Sequence, residues 1–348
     1  MGKIVTVDRP GKISIETFEE KPLKSNEVRL QILYTGISAG TQLSLYRGIN
    51  PFVEKEWNDD LHIFENRNGP GSMYPAQGGW GYEEVGKVIE IGSDVKTIEP
   101  GEIIYGTWGH VSTAIISEEF ALEHKLRTGL DPILGIYSQM GCIALNAVLD
   151  ADIHVGETVA VFGQGVPGQI AAQMARLNGA RVIVVDLSDA RLEFSKKFGA
   201  DIVLNSSKVD SSKRIKELTD GFGADVCIEF TGSDSALHDA IRAAAYNGRV
   251  VCASFTQGSA SHLYLAEEFH SNRIQIVSSQ IYGHNPSLDH RWNRLRMEKT
   301  VYDLVEKEKL DLKGLITHVI PFDDAVEAYA MLANGVDECL QVVLKIDE

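Results

Sequence analysis

The stretch that decides the fold of this chain is Val159-Ala160-Val161-Phe162-Gly163-Gln164-Gly165-Val166-Pro167-Gly168. An apolar strand leads into the pattern G-x-G-x-x-G, and residues 169–175 then have the composition of a helix. In such a turn the first two glycines let a diphosphate approach the backbone, and the third lets the helix pack against the strand. The helix N-terminus, which contains Val166 and Pro167, presents free N–H groups to that diphosphate. The sequence therefore predicts a dinucleotide-binding unit.

The acid that follows this unit bears on the choice of cofactor. A second apolar strand, residues 181–185, ends in Asp186. A carboxylate there accepts hydrogen bonds from the ribose hydroxyls and repels a 2′-phosphate, so NAD is expected. NADP stays open, because Arg191 lies nearby in the sequence and would attract a phosphate. We favour the interpretation that Arg191 is a solvated helix residue.

Composition indicates an ordinary globular protein. The chain has 348 residues, enough for about two domains, with 44% hydrophobic and 24% charged residues. The formal net charge of −16 argues against a nucleic-acid or anionic-membrane partner. We expect a cytoplasmic location, because the four cysteines form no C-x-x-C pair, the N-terminus lacks the apolar region of a signal peptide, and no apolar run approaches 20 residues.

The pattern along the chain predicts an α/β fold with two domains. Residues 1–125 are rich in short strands separated by Gly and Pro, and the long segment 51–79 reads as an ordered loop. From about residue 131, apolar strands alternate with helices, which predicts a doubly wound parallel sheet. We therefore expect a dinucleotide-binding domain at 126–284, with 1–125 and 285–348 forming the other domain.

Several further motifs carry a resemblance to a known family. They are Tyr34-Thr35-Gly36-Ile37-Ser38, Gly81-Tyr82-Glu83-Glu84-Val85-Gly86, Pro100-Gly101-Glu102, Phe198-Gly199-Ala200-Asp201 and Pro321-Phe322-Asp323-Asp324-Ala325. With the Gly-rich turn, they make the whole chain resemble the medium-chain dehydrogenase/reductase superfamily, the zinc alcohol dehydrogenase-like proteins. The resemblance implies a β-rich GroES-like catalytic domain, a Rossmann domain, and a homodimer that pairs through the sixth strand, residues 274–278.

The departures from the family pattern concern zinc. Ser38 stands where the zinc enzymes have a Cys ligand, Tyr82 where they have a His, and Ile136 at the third ligand position. The four-cysteine lobe of the structural zinc is also absent from the sequence. Ser and Tyr are poor zinc ligands. The chain thus resembles a zinc-less branch, locally the bacteriochlorophyllide dehydrogenases, and we expect no zinc and no other metal.

Without zinc, a side chain must handle the proton of the substrate alcohol. Tyr82 is the first candidate: its phenol can donate to a developing alkoxide, and its pKa can fall near a cation. The alternative is that its ring only fills the former zinc cavity. Thr41 and Ser38 are candidate proton relays, although for either one alone we favour the interpretation of a turn or N-cap hydroxyl. Glu83 is either a fourth catalytic candidate or a structural carboxylate.

The resemblance also implies cofactor and substrate contacts. Residues that follow the later strands of the sheet should meet the cofactor, namely Thr231, Gly232, Ser254, Phe255, Ser279 and Gln280. Candidate substrate residues are aromatic or basic, in loops, namely His62, Trp108, His110, Arg291 and Trp292.

The function predicted from these residues is a zinc-independent, NAD(H)-dependent oxidoreductase that interconverts a secondary alcohol and a ketone on a small molecule such as a sugar or a cyclitol. Two alternatives stay open. One is an NADPH-dependent enoyl or quinone reductase, against which Asp186 argues. The other is a non-catalytic nucleotide-binding protein.

Overall fold

The computed structural model of the protein describes residues 1–67, 73–78, 80–256, 258–335 and 338–347. The chain divides into two compact units. The first comprises Met1–Gln139 and Ile316–Glu348, and the second comprises Met140–Leu315.

The elements follow one another in three stretches. The first contains β1 (Gly2–Arg9), β2 (Lys12–Phe18), β3 (Glu27–Ile37), α1 (Ala39–Arg47), β4 (Lys55–Asn58), β5 (Ile63–Asn66), β6 (Ala76–Gln77), β7 (Glu84–Ile91), β8 (Ile103–Gly106), β9 (Thr113–Ser117) and α2 (Glu118–Glu123). The second contains α3 (Tyr137–Ala151), β10 (Thr158–Phe162), α4 (Val166–Leu177), β11 (Arg181–Asp186), α5 (Asp189–Lys197), β12 (Ile202–Asn205), α6 (Ser211–Leu218), β13 (Ala224–Glu229), α7 (Asp234–Ala243), β14 (Ala244–Cys252), β15 (Gln275–Ser278) and α8 (Arg294–Glu306). The third contains β16 (Ile316–Pro321), α9 (Ala325–Ala333) and β17 (Gln341–Lys345).

The first unit is built around strand β3. Its main sheet has the order β16-β17-β3-β7-β8, with β9 also paired to β3, and a smaller sheet has the order β2-β1-β6. Alternate residues of β3, Val28, Leu30 and Ile32, are fully buried, as expected for a strand with one face on the core. The antiparallel pairing of β3 with β7 continues to the pair Thr35–Glu84, close to the ends of both strands. The residues just beyond β3 and just before β7 are therefore neighbours.

The second unit confirms the predicted doubly wound parallel sheet. Its six strands are all parallel in the order β12-β11-β10-β13-β14-β15. The direction of winding reverses between β10 and β13, and in sheets of this kind ligands bind outside the carboxyl ends of the strands at that reversal. Phe162 and Ile183 lie in the core that the sheet forms with its helices.

Three expectations differ from this structure. The boundaries between the units fall after residues 139 and 315 instead of after 125 and 284. Helix α8 belongs to the second unit, where Val301 packs so closely on Gly141 that a Cβ at Gly141 would lie 2.7 Å from Val301 Cγ1. The irregular segment 51–79, of which 68–72 and 79 lie outside the described residues, contains the hairpin β4–β5. Each strand of this hairpin has four residues, which leaves a short pattern in the sequence, and the rings of Trp57 and Phe64 pack edge to face across it.

A further difference concerns apolar length. The helical segment Pro132–Ala151 has 20 residues and a mean hydropathy of 1.4, so by length and composition it passes the test for a membrane span. The buried share of its most apolar window is 78%. Such burial is typical of a core helix, which passes the same test.

Candidate active site

Three predicted catalytic residues meet in the first unit and form what we call the hydroxyl cluster, Ser38, Thr41 and Tyr82. The Ser38 Oγ and Tyr82 Oη atoms are 2.5 Å apart, and Tyr82 Oη donates to Thr41 Oγ1 over 3.1 Å. Ser38 is the N-cap residue of α1, yet its side chain makes no capping hydrogen bond. The alternative interpretation of Ser38 as a capping hydroxyl is therefore wrong.

The strand pairing explains why these residues meet. Ser38 follows β3 directly, and Tyr82 precedes β7 by two residues. The two chains are joined here by a hydrogen bond from Gly36 N to Glu83 O of 2.7 Å. Since α1 begins at Ala39, Thr41 lies in its first turn, within hydrogen-bond reach of Tyr82 Oη.

Electrostatics keep Tyr82 a neutral donor. Burial raises the pKa of Tyr82 to about 12, and the nearby Glu83 carboxyl adds to the shift. The charges of Glu83 and Glu84 raise the pKa of the phenol and do not lower it. At neutral pH the phenol therefore keeps its proton and can donate it to a hydrogen-bond acceptor.

Two fully buried carboxyl groups, Glu83 and Glu84, lie behind the hydroxyl cluster. Glu83 Oε2 accepts from Gln341 Nε2 over 3.1 Å, and Glu83 Oε1 has no hydrogen-bond partner among the described residues. Burial, with the charge of Glu84 second, raises the pKa of Glu83 to about 8, and burial raises the pKa of Glu84 to about 7. Glu83 is therefore mostly protonated at neutral pH, and its hydrogen bond to Gln341 holds β17.

His110 is not the substrate residue that the sequence suggested. It is fully buried, its Nδ1 is 2.6 Å from Thr35 Oγ1, and its Nε2 is 3.0 Å from Gln42 Oε1. Tyr329 Oη also donates to Gln42 Oε1 over 2.6 Å. Burial lowers the pKa of His110 to about 3, so the ring is neutral. Both ring nitrogens are occupied inside the core, which leaves neither for a substrate.

The other predicted substrate residues make no hydrogen bond to the hydroxyl cluster within the described part of the chain. The Trp108 ring packs edge-on against Phe120 beside the core of the first unit. His62 is exposed at the turn of the β4–β5 hairpin, with its ring 6.1 Å from that of Trp57. Arg291 and Trp292 belong to the second unit, where the Arg296 guanidinium lies 4.4 Å over the Trp292 ring. None of these contacts supplies a substrate role.

The Gly-rich turn of the second unit has the shape that a diphosphate requires. Gly163 has a φ of 88°, which favours glycine. A Cβ at Gly168 would lie 1.8 Å from Gly163 O, so only glycine lets α4 pack this closely. A Cβ at Gly165, by contrast, would meet nothing nearer than Pro167 Cδ at 4.0 Å. The open space beside Gly165, at the N-terminus of α4, fits the diphosphate of a dinucleotide.

Asp186 is fixed next to this turn. Its Oδ2 accepts from Gln164 N over 2.6 Å, and its Oδ1 accepts from Ser188 N over 2.9 Å. Each carboxylate oxygen keeps a further lone pair that can accept from ribose hydroxyls. Arg191 is half-buried, and its Nε is buried without a partner among the described residues, so it departs from the solvated position that we favoured.

The remaining predicted cofactor residues lie at the carboxyl ends of β13, β14 and β15. Glu229 Oε1 accepts from Gly232 N over 3.1 Å and also from Thr231, and its Oε2 accepts from Ser254 Oγ over 2.5 Å. Sequence reasoning missed Glu229, although an acid at the end of an apolar strand directly before Phe230-Thr231-Gly232 was a usable signal. Phe255 is exposed beyond Ser254.

After β15, the two predicted residues serve the local backbone and α3. Ser279 Oγ accepts from Asn146 Nδ2 over 3.0 Å. Gln280 Oε1 accepts from Tyr282 N over 2.5 Å. The backbone groups that the resemblance assigns to the cofactor carboxamide are thereby held in place.

Comparisons with known proteins agree with this arrangement. The family model for "Zinc-binding dehydrogenase" matches residues 167–296. A D-guloside 3-dehydrogenase of Escherichia coli (strain K12) is 32% identical over 336 residues, which cover 94% of this chain and 95% of that protein. The chain belongs to the medium-chain dehydrogenase/reductase superfamily. It is therefore an oxidoreductase of the dehydrogenase type.

Solved structures of this superfamily have the same fold. The crystal structure of 2R,3R-butanediol dehydrogenase from Bacillus subtilis superposes with a TM-score of 0.78 at 22% identity and covers 100% of both chains. An E. coli CFT073 structure, described as a short chain alcohol dehydrogenase complexed with NADH, superposes with a TM-score of 0.76 at 20% identity and covers 99% of both chains. At these identities the likeness shows the fold.

The residues at the superfamily's catalytic zinc position do not fit a zinc ion. Ser38 and Tyr82 hydrogen-bond to each other there, and Ile136, which has no donor atom, is fully buried. The family-model match, residues 167–296, includes none of these positions. Among the described residues, the group of His, Asp, Glu or Cys side chains close enough to share a metal is His238, Glu267 and Glu268 of the second unit. Neutral hydroxyls are weak zinc ligands beside thiolate and imidazole.

Proposed function

We propose that this protein is a zinc-independent, NAD(H)-dependent dehydrogenase that interconverts a secondary alcohol and a ketone. The observation that carries the proposal is the hydroxyl cluster, in which Tyr82 Oη lies 2.5 Å from Ser38 Oγ and 3.1 Å from Thr41 Oγ1. It occupies the positions where zinc enzymes of the superfamily hold the metal that polarises the substrate oxygen.

A bound nicotinamide cofactor supplies the hydride acceptor or donor. The side chains of this chain handle the proton. Tyr82, which keeps its proton at neutral pH, donates to the oxygen of a ketone and stabilises the alkoxide that develops there. Ser38 and Thr41 both hydrogen-bond to the phenol. Their hydroxyl groups offer a route for the proton in the oxidation of the alcohol and in the reduction of the ketone.

We propose a sugar or cyclitol-like substrate. Support comes from the relative named D-guloside 3-dehydrogenase, whose alignment spans nearly the whole of both chains. The name of that relative describes dehydrogenation at position 3 of a guloside, and a ring hydroxyl flanked by other hydroxyls suits the donors and acceptors of the hydroxyl cluster.

NAD is the proposed cofactor because of Asp186. Its carboxylate lies at the end of β11 and is fixed to the Gly-rich turn through Gln164 N. A negative charge there disfavours the 2′-phosphate of NADP. The NADPH-dependent reductase alternative needs Arg191 to outweigh that repulsion.

One experiment separates these functions. The purified protein is incubated with glycosides, polyols and cyclitols and either NAD+ or NADP+, with and without a strong chelator, and its metal content is measured in parallel. In the reverse direction it is incubated with ketones, enones or quinones and either NADH or NADPH. We expect reduction of NAD+ with at least one polyhydroxylated substrate, no loss of rate with the chelator, and no stoichiometric zinc. One zinc per chain with chelator-sensitive turnover contradicts zinc independence. NADPH-only reduction of enones or quinones favours the reductase, and cofactor binding without any turnover favours the non-catalytic alternative.

We also propose a cytoplasmic homodimer that pairs through β15. This strand is the edge of the parallel sheet, and Ile276 in its middle is 37% exposed. An apolar sheet edge that stays exposed invites pairing with another chain.

A further inference from the structure

The feature that the proposed chemistry leaves unused is the carboxyl group of Glu229. It is the last residue of β13, and its side chain is fully buried. A buried carboxyl group in an α/β sheet is costly unless donors compensate it. Glu229 therefore needs an explanation in terms of what surrounds it.

Its surroundings consist of donors. Thr231 N, Thr231 Oγ1 and Gly232 N all donate to Oε1, and Ser254 Oγ donates to Oε2 over 2.5 Å. The Thr231 hydroxyl oxygen already accepts from Ser233 N over 3.0 Å, so its proton is directed to Glu229. Four donors and, among the residues that the structure describes, no acceptor around one carboxyl group form the pattern of an ionised carboxylate.

The position of this carboxylate in the sheet is informative. The winding reverses between β10 and β13, and a dinucleotide lies across the carboxyl ends of the strands at that reversal. Its adenosine half lies on the side of Asp186 and β11, so its nicotinamide half lies on the side of β13 and β14. The residues that Glu229 holds, Thr231, Gly232 and Ser254, lie in the turns just after those two strands.

We infer that Glu229 is a positioning residue of the cofactor site that clamps the turns after β13 and β14, and that its buried negative charge favours the oxidised over the reduced cofactor. The inference rests on the proposed function, because it requires that a nicotinamide dinucleotide binds. The oxidised nicotinamide ring carries a positive charge that the reduced ring lacks. A carboxylate inside the protein attracts that charge with little screening.

The test compares the Kd values for NAD+ and NADH, measured by titration calorimetry on the full chain without substrate. In the Glu229→Gln variant, which keeps the shape and removes the charge, we expect the Kd for NAD+ to rise about tenfold and that for NADH about threefold or less. The matched control is Asp225→Asn at the other end of β13, where Asp225 Oδ2 accepts from Thr158 N over 2.8 Å. This control should leave the ratio of the two Kd values unchanged.

A second variant keeps the test decisive if Glu229→Gln does not fold. Ser254→Ala removes one donor and keeps the carboxylate, so both Kd values should rise by a similar factor. Unchanged Kd values in both variants, or an equal rise for NAD+ and NADH in Glu229→Gln, overturn the inference while the proposed cofactor stands. A wild-type protein that binds neither NAD nor NADP overturns both.

Discussion

The hydroxyl oxygens of Ser38 and Tyr82 lie 2.5 Å apart, although the two residues are 44 positions apart in the sequence. Each belongs to a position where zinc enzymes of the superfamily have a metal ligand. The hydrogen bond joins the end of β3 to the segment before β7. Thr41 is the second hydrogen-bond partner of the Tyr82 phenol. This arrangement leads to the first two predictions.

Tyr82→Phe should abolish most of the activity. It removes the one hydroxyl that Ser38 and Thr41 share, and loss of a positioned acid or base typically costs about 10²- to 10⁴-fold in kcat. The KM for the cofactor should stay within about twofold. Steady-state kinetics measure both quantities. Tyr46→Phe is the matched control, since Tyr46 Oη donates to Gly11 O in the same unit, and it should keep full kcat. Wild-type kcat in Tyr82→Phe would leave the phenol with only a space-filling role.

Ser38→Ala should separate catalysis from helix capping. Because the Ser38 side chain makes no capping hydrogen bond, its removal should change the free energy of unfolding by less than about 0.5 kcal/mol. It should nevertheless lower kcat, since the Tyr82 phenol loses a partner. Ser117→Ala should show the reverse, because the Ser117 hydroxyl accepts from Phe120 N at the start of α2. For Ser117→Ala we expect the free energy of unfolding to fall by about 1 kcal/mol while kcat stays unchanged. Urea unfolding and initial rates check both variants, and similar behaviour of the two would contradict the assignment.

Substitutions at Gly165 and Gly168 should have opposite effects on stability and binding. A Cβ at Gly168 would lie 1.8 Å from Gly163 O, so Gly168→Ala should destabilise the fold by about 3 kcal/mol. The methyl group of Gly165→Ala meets open space, so the free energy of unfolding should stay within about 1 kcal/mol of that of wild type. The same methyl group should raise the cofactor Kd by about tenfold or more, because the diphosphate can no longer approach the backbone closely. Thermal melts and calorimetric titration distinguish the two. A Gly165→Ala variant that binds the cofactor normally would place the diphosphate elsewhere.

The buried carboxyl group of Glu83 should make stability fall as pH rises. Its pKa in the folded protein is about 8, above the ordinary value of 4.5, so the folded state holds the proton more tightly than the unfolded state. The stabilisation from this proton is complete below pH 4.5 and is lost as the pH rises through 8. Between pH 5 and 9, the free energy of unfolding of Glu83→Gln should therefore rise by roughly 4 kcal/mol relative to that of wild type. Urea unfolding at several pH values measures the difference, and exposed Glu56→Gln should show none. A difference independent of pH would mean that Glu83 titrates normally.

Ile276→Lys should produce a monomer. A lysine in the middle of the edge strand β15 opposes pairing of that edge with a second copy. Sedimentation velocity should show a dimer for wild type and a monomer for the variant. Ile89→Lys adds the same charge at another exposed isoleucine, on β7, and should remain dimeric. A monomeric wild-type protein would refute the proposed pairing.

The local sequence pattern predicted the parallel sheet of the second unit of this protein. The apolar run before Gly163 predicts β10, and the structure has that strand at Thr158–Phe162. Consecutive strands and helices in a parallel sheet are each signalled by their own residues, so the alternation predicts the doubly wound order. Glu229 escaped this reasoning because its four donors come from two turns that only the sheet brings together.

In the first unit, the sequence by itself determined which residue types stand at the superfamily's ligand positions, and the tertiary structure decided what they do. Ser38 and Tyr82 follow from motif positions, but their hydrogen bond depends on the register of β3 against β7. His110 looked like a loop residue, because nothing near it in the chain reveals that Thr35 and Gln42 occupy both of its ring nitrogens. Burial and long-range pairing set the pKa values and partners of such groups, and both depend on residues far apart in the sequence.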